Sequence, residues 1–297
     1  MFKTVDAYLD KLKNELKGCD SAVIQDALSD AEEYLRTALE SFIAERPQIS
    51  EEQALNAVIE KYGDPGEIAA AYREVEAFIS PVMPFAGKTE KRSVLVRYFG
   101  VLADTQAWGA ALYAFISLLT GIVYGMWSLF GISLSLVTFL LIIGLPVAGL
   151  FLLSIRGIAL MEGRIIEALL GVRMPRKPLF VRRGLNWKDK FKSIVADSRT
   201  WRSLVYMILH FPLGLIYGLM TISLFSLSLK AILYPLLDAV FGRPLITLGG
   251  HAYHTSSWLF PLISLTGLLI FVLVLHLAKI FGRIHGRYAK AVLVKKQ

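Results

Sequence analysis

The stretch TQAWGAALYAFISLLTGIVYGMWSLFGISLSLVTFLLIIGLPVAGLFLLSI, residues 105–155, runs for 51 positions without Asp, Glu, Lys or Arg. One helical crossing of a bilayer needs about 20 apolar residues, so this stretch reads as two crossing helices joined by a tight hairpin near Gly131 to Ser135. Two more charge-free runs, Ser203–Leu229 and Trp258–Ala278, each supply one further crossing. The expected spans are about 108–130, 134–155, 203–227 and 258–278, and four crossings leave both chain ends on one side. With 297 residues, 55% of them hydrophobic, and a mean hydropathy of +0.54, the chain is not a soluble globule.

The positive-inside rule sets the orientation. The connection 156–202 carries 12 Lys/Arg against 4 Asp/Glu, and the tail from Lys279 carries 6 against none. By contrast, the first outer hairpin is uncharged and 230–257 holds only Lys230 and Arg243 against Asp238. Connection, tail and N-terminus are therefore expected in the cytoplasm, with the chain in the plasma membrane. The basic run Arg173 to Lys192 is explained by topology and lipid headgroups rather than by nucleic acid.

Residues 1–80 differ sharply, with 8 basic against 17 acidic residues, a net of −9, whereas the remainder carries +17. Apolar residues at helical spacing predict four short amphipathic helices. The first ends near Gly18, and the second is capped by Asp20 and stops before Pro47. The third opens on the capping box Ser50/Gln53 and stops at Gly63. The fourth starts on Asp64, Pro65 and Glu67 as N-cap, first-turn proline and N3 carboxylate. This head has no catalytic dyad, phosphate loop or metal-ligand cluster, and its acidity argues against DNA binding. Cys19 has no second cysteine to pair with and reads as a small buried or half-buried residue. The N-terminus lacks the apolar core of a cleaved export signal.

The runs YLDKLKNEL, DALSDAEEYL and EEQALNAVIEKYGDPGEIAAAY in this head resemble the HAAS signalling domain, most specifically over Tyr62–Ala69. The resemblance implies a cytosolic interaction module rather than an enzyme, with Asp64, Pro65 and Glu67 as candidate partner-binding residues.

Self-comparison of the body shows a repeat. At an offset of 93, Asp104, Trp108, Tyr113, Gly121, Tyr124, Gly125 and Ser133–Leu136 fall on Asp197, Trp201, Tyr206, Gly214, Tyr217, Gly218 and Ser226–Leu229. At an offset of 123, Gly163, Arg164, Ala168 and Leu170 fall on Gly286, Arg287, Ala291 and Leu293, so an insertion of about 30 residues is expected around Asp238–Ser257. Each copy reads as a two-helix hairpin followed by a basic amphipathic helix, and the two copies are parallel. Asp104 and Asp197 are expected to cap spans, Trp108 and Trp201 to anchor at headgroup level, and the paired glycines to let helices approach closely. Glu162 and Arg164, with Arg287 in the second copy, are expected to form structural pairings at the membrane surface. Pro146 and Pro212 can kink spans.

The elements WGAALYAFISLLTGIVYG, GLPVAGL, RGIALMEGRIIEALLGVRMPRKP and DSRTWRSLVYMILHFPLGLIYG resemble the Putative sensor family of bacterial and archaeal membrane proteins. Members often precede kinase modules. Here about 19 residues follow the last span, so output is expected from the head.

His251 and His254 have metal-ligand spacing but no further ligands to complete a site, and His276 reads as interfacial. No metal or cofactor is expected. The fold class is all-α: a cytosolic helical domain (1–80), a linker (81–104) and a four-transmembrane-helix bundle of two parallel two-helix repeats (105–297). The expected function is a non-enzymatic membrane sensor that passes a membrane or external signal through its head to a cytosolic regulatory protein. The alternative is a small transporter, or an accessory subunit of a permease complex. Against that alternative, the spans show no ionisable residue marking an ion path. The remaining partners expected are the lipid bilayer and a second copy in a homo-oligomer; nucleic acid is not expected.

Overall fold

The computed structural model describes residues 2–78, 93–139, 144–177, 187–242, 244, 246–248, 251–253 and 255–294. The fold is all-α apart from one short hairpin. Four helices form the head: α1 (Val5–Glu15), α2 (Ser21–Glu45), α3 (Glu51–Tyr62) and α4 (Pro65–Phe78). Their boundaries follow from local chemistry. Asp20 accepts from the Ala22 N–H at 2.9 Å and Ser50 from the Gln53 N–H at 3.3 Å. Gly63 ends α3 at φ +114°, and Asp64 and Glu67 then close a reciprocal box, Asp64 accepting from the Gly66 N–H while its own N–H donates to Glu67. Tyr8, Leu12, Leu16, Leu35 and Leu55 are fully or almost fully buried in the head core. Tyr8 also ties α1 to the end of α3, its hydroxyl donating to the Gly63 carbonyl at 2.8 Å.

After the short helix α5 (Val94–Phe99) come α6 (Thr105–Phe139), α7 (Gly144–Leu170), α8 (Trp187–Ala196), α9 (Ser198–Phe241) and α10 (Phe260–Leu293). Helices α6, α7, α9 and α10 are long and apolar enough to cross a membrane. At 44 residues α9 is roughly 66 Å long, about twice a hydrocarbon core. The basic amphipathic segments that follow the second and fourth spans are continuations of α7 and α10.

Helix α6 continues through Gly131–Ser135, so the expected hairpin is not there. Instead, Ser135 donates to the Gly131 carbonyl at 2.7 Å, and Gly131 leaves room for the Phe151 ring, which a Cβ would overlap. Between α9 and α10, strands β1 (Ile246–Leu248) and β2 (His251–Tyr253) pair antiparallel, within the segment read as an insertion. The linker positions Pro81, Pro84, Gly87, Lys88, Lys91 and Arg92 lie outside the described residues, as does His254.

The chain divides into two compact units, Met1–Pro84 with Met126–Ile208 and Gly286–Gln297, and Phe85–Gly125 with Leu209–His285. In the second unit α6 and α9 meet through glycine. A Cβ on Gly121 would lie 3.5 Å from the Gly214 Cα, and one on Gly214 would overlap the Ser117 carbonyl. Replacing Gly214 with Val should therefore destabilise the protein by about 1–3 kcal/mol or more. Gly100→Ala, whose Cβ meets nothing within 4 Å, should leave the protein within about 0.5 kcal/mol of wild type. Thermal unfolding in mild detergent checks both.

Candidate functional site: the clasp between head and basic connection

Within the first unit the acidic head is held by the basic segment that follows α7. Asp26, on α2, is 5% exposed, an unusual place for a carboxylate. Its oxygens accept the backbone N–H of Arg176 at 2.8 and 3.1 Å and that of Lys177 at 3.1 Å, and the Arg173 guanidinium stands 3.3 Å away. Arg173 reaches three carboxylates, since it also meets Glu167 at 3.0 Å and Glu76 of α4 at 3.5 Å. Glu167 takes Arg176 as well, at 2.7 Å. Lys177 pairs with Asp30, which also accepts from the Tyr72 hydroxyl, and Lys290 of α10 pairs with Asp20.

Burial sets the electrostatics. It pushes the Asp26 carboxyl above the usual carboxylate range, against the pull of the Arg176 and Lys177 N–H groups and the charge on Arg173, while Asp30 nearby raises it further. Tyr62 is pushed up to about 12, by burial first and then by Asp30, and Tyr72 is raised by burial and its bond to Asp30. Arg176 is raised by its hydrogen bond to Glu167. The basic residues assigned from sequence to topology and lipid thus include three, Arg173, Arg176 and Lys177, that bind the head. Such a contact leaves no local signal, because its halves lie about 150 positions apart.

The body's ends carry the repeated residues. Asp104 accepts from the Gln106 N–H at 3.0 Å and pairs with Lys279, while the Trp108 indole N–H donates to the Leu102 carbonyl at 2.9 Å. Asp197 accepts from the Arg199 N–H at 3.0 Å and pairs with Arg156 at 3.0 Å, while Trp201 donates to the Val195 carbonyl at 2.8 Å. The family model described as Putative sensor matches residues 113–293. The chain belongs to the Putative sensor family. Residues 7–71 match the model described as HAAS, which covers most of the acidic head. No curated protein and no solved structure matches.

Inside the Putative sensor region, Glu162 is fully buried and accepts from the Tyr206 hydroxyl at 3.3 Å. One expectation needs correction, because the spans contain a buried ionisable group. His210 in α9 is fully buried, 3.0 Å from the Thr120 hydroxyl with its ring 5.3 Å from that of His285, which is also buried. A search for Asp, Glu, Lys and Arg alone passes over histidine, and His210 sits unmarked between Leu209 and Phe211.

Other singled-out residues are dispersed. Arg164 is exposed and donates to the Arg176 carbonyl at 3.2 Å, and Arg287 is exposed. Pro146, in the first turn of α7, and Pro212, inside α9, are exposed. Asp64 and Glu67 are exposed at the α3–α4 turn, whereas Pro65 is buried. His251 is exposed on β2, and His276 lies 3.0 Å from the Tyr98 carbonyl.

Asp26→Ala leaves Arg173 and two backbone donors short of an acceptor, and should weaken head docking by roughly 3 kcal/mol. Combined with Arg173→Ala the losses should be non-additive by about 1 kcal/mol or more, read from hydrogen exchange of α2 amides. The pH dependence has a definite sign. A raised carboxyl contributes stability that is full below its unfolded pKa, about 4, and is lost as pH rises through the higher folded value. Relative to Asp26→Asn, the wild type should therefore gain melting temperature on acidification through that window and show no relative change above it.

Proposed function

We propose that this chain is a non-enzymatic regulatory protein of the plasma membrane with cytoplasmic N- and C-termini. Its head passes the state of the membrane body to a cytosolic protein. The observation that carries this reading is the buried Asp26 clasp. Ion pairs between two modules, with burial opposing the charge at their centre, can be shifted between docked and released states by a modest bias. Asp64 and Glu67, exposed at the α3–α4 turn, remain the candidate partner-facing residues. The matching geometry at Asp104/Trp108 and Asp197/Trp201 supports a duplicated hairpin. An offset of 123 also carries Arg156, the partner of Asp197, onto Lys279, the partner of Asp104.

Two measurements test the reading. In a Cys19→Ser background, Glu33→Cys and Lys192→Cys should both be labelled from the cytoplasmic side; labelling on opposite faces overturns the arrangement. Purification in mild detergent should recover a soluble regulator that is lost on removing residues 1–80 and enriched several-fold by Asp26→Ala. A small transporter or permease subunit is favoured by one observation, the burial of Glu162 and His210 within apolar helices. That reading requires a flux in proteoliposomes that Glu162→Gln abolishes, or recovery of a permease whether or not the head is present.

A further inference from the structure

A cavity of about 340 Å³ lies in the first unit where α7, the start of α9 and the end of α10 meet the head and the segment after α7. Among the described residues its lining holds three cations, Arg156, Arg199 and Lys177, and no carboxylate; apart from Gln25 and Ser203, the rest of these residues are apolar. Two of the cations are already engaged. Arg156 bonds Thr200 at 2.8 Å and Asp197 at 3.0 Å, and Lys177 pairs with Asp30.

Arg199 is less fully engaged. Its backbone N–H serves the Asp197 cap and its charge feels Asp197 and Glu32, but among the described residues its buried Nη1 has no acceptor. A buried guanidinium donor without an acceptor is costly, and an anion beside it removes that cost. The apolar part of the lining indicates which anion. Leu153 lines the cavity yet is 49% exposed, and Leu150 and Met161 on the same helix are 69% and 65% exposed, so this stretch of α7 presents apolar surface to lipid. A ligand that fits therefore has a single anionic group for Arg199 and a hydrocarbon chain for the Leu153 side.

We propose that this cavity binds an anionic membrane phospholipid, its phosphate on Arg199 between Arg156 and Lys177 and its acyl chain leaving past Leu153. Gln25 and Lys177 line the cavity next to the Asp26 and Asp30 contacts, so occupancy adjoins the clasp. Naming this lipid as the membrane-borne signal rests on the regulatory reading above; binding itself does not.

The test uses the full chain in nanodiscs of phosphatidylcholine, with increasing fractions of phosphatidylglycerol. Melting temperature should rise by about 5 °C as the site fills. Arg199→Gln should abolish the rise. So should Gly157→Phe, which projects a ring into the cavity from a position whose Cβ meets nothing within 4 Å. In phosphatidylcholine alone Gly157→Phe should melt like wild type and Arg199→Gln at or above it, since the buried donor without an acceptor is gone. As a readout independent of variant folding, native mass spectrometry of the wild type should show one phosphatidylglycerol retained through exchange into neutral detergent. No rise, an equal rise in both variants, or no retained lipid overturns the proposal. An equal rise with millimolar inorganic phosphate in phosphatidylcholine discs also overturns it, in favour of a soluble anion. Loss of lipid binding with the Asp26 clasp intact would leave the regulatory reading standing, and the converse would leave the lipid site standing.

Discussion

A backbone amide in hydrocarbon has no water to turn to, and each unsatisfied group there costs several kcal/mol. The apolar runs of this chain can therefore cross only as helices, and their polar requirements collect at the ends. At two of those ends an aspartate takes the second N–H after it, an indole four residues on donates to a carbonyl just before the span, and a cation closes the other carboxylate oxygen. Helix α6 runs unbroken through Gly131–Ser135. The clasp and the cavity both lie where α7 gives way to the segment at 171–177.

What the sequence reveals is what short-range physics decides. The four head helices and their caps at Asp20, Ser50 and Asp64 can be read because a cap needs only residues two or three positions apart. The four apolar helices can be read because a lipid phase tolerates so few alternatives. The clasp is different in kind. Nothing within ten residues of Asp26 distinguishes it from the other acids of α2, and its burial depends on a segment about 150 positions later. Glu162 illustrates a second limit. It lies in a basic stretch that reads as interfacial, yet helix α7 continues unbroken and turns the residue toward Tyr206.

The clasp combines two effects that pull in opposite directions. Burial disfavours the charged form of Asp26, while two backbone N–H groups and Arg173 favour it. An interaction of this kind contributes little net stability but is costly to break by halves. Glu167 keeps Arg173 and Arg176 in place from the α7 side.

The ion pairs at the two span ends also bear on how the protein is made. Asp104 is made early in translation, but the lysine that closes it lies 175 residues downstream, in α10. Asp197 meets its arginine from the opposite direction, 41 residues upstream and already synthesised. Asp104 is thus synthesised long before its counter-ion, and Asp197 after its own. The ion pair at the start of α6 cannot close until α10 has been made.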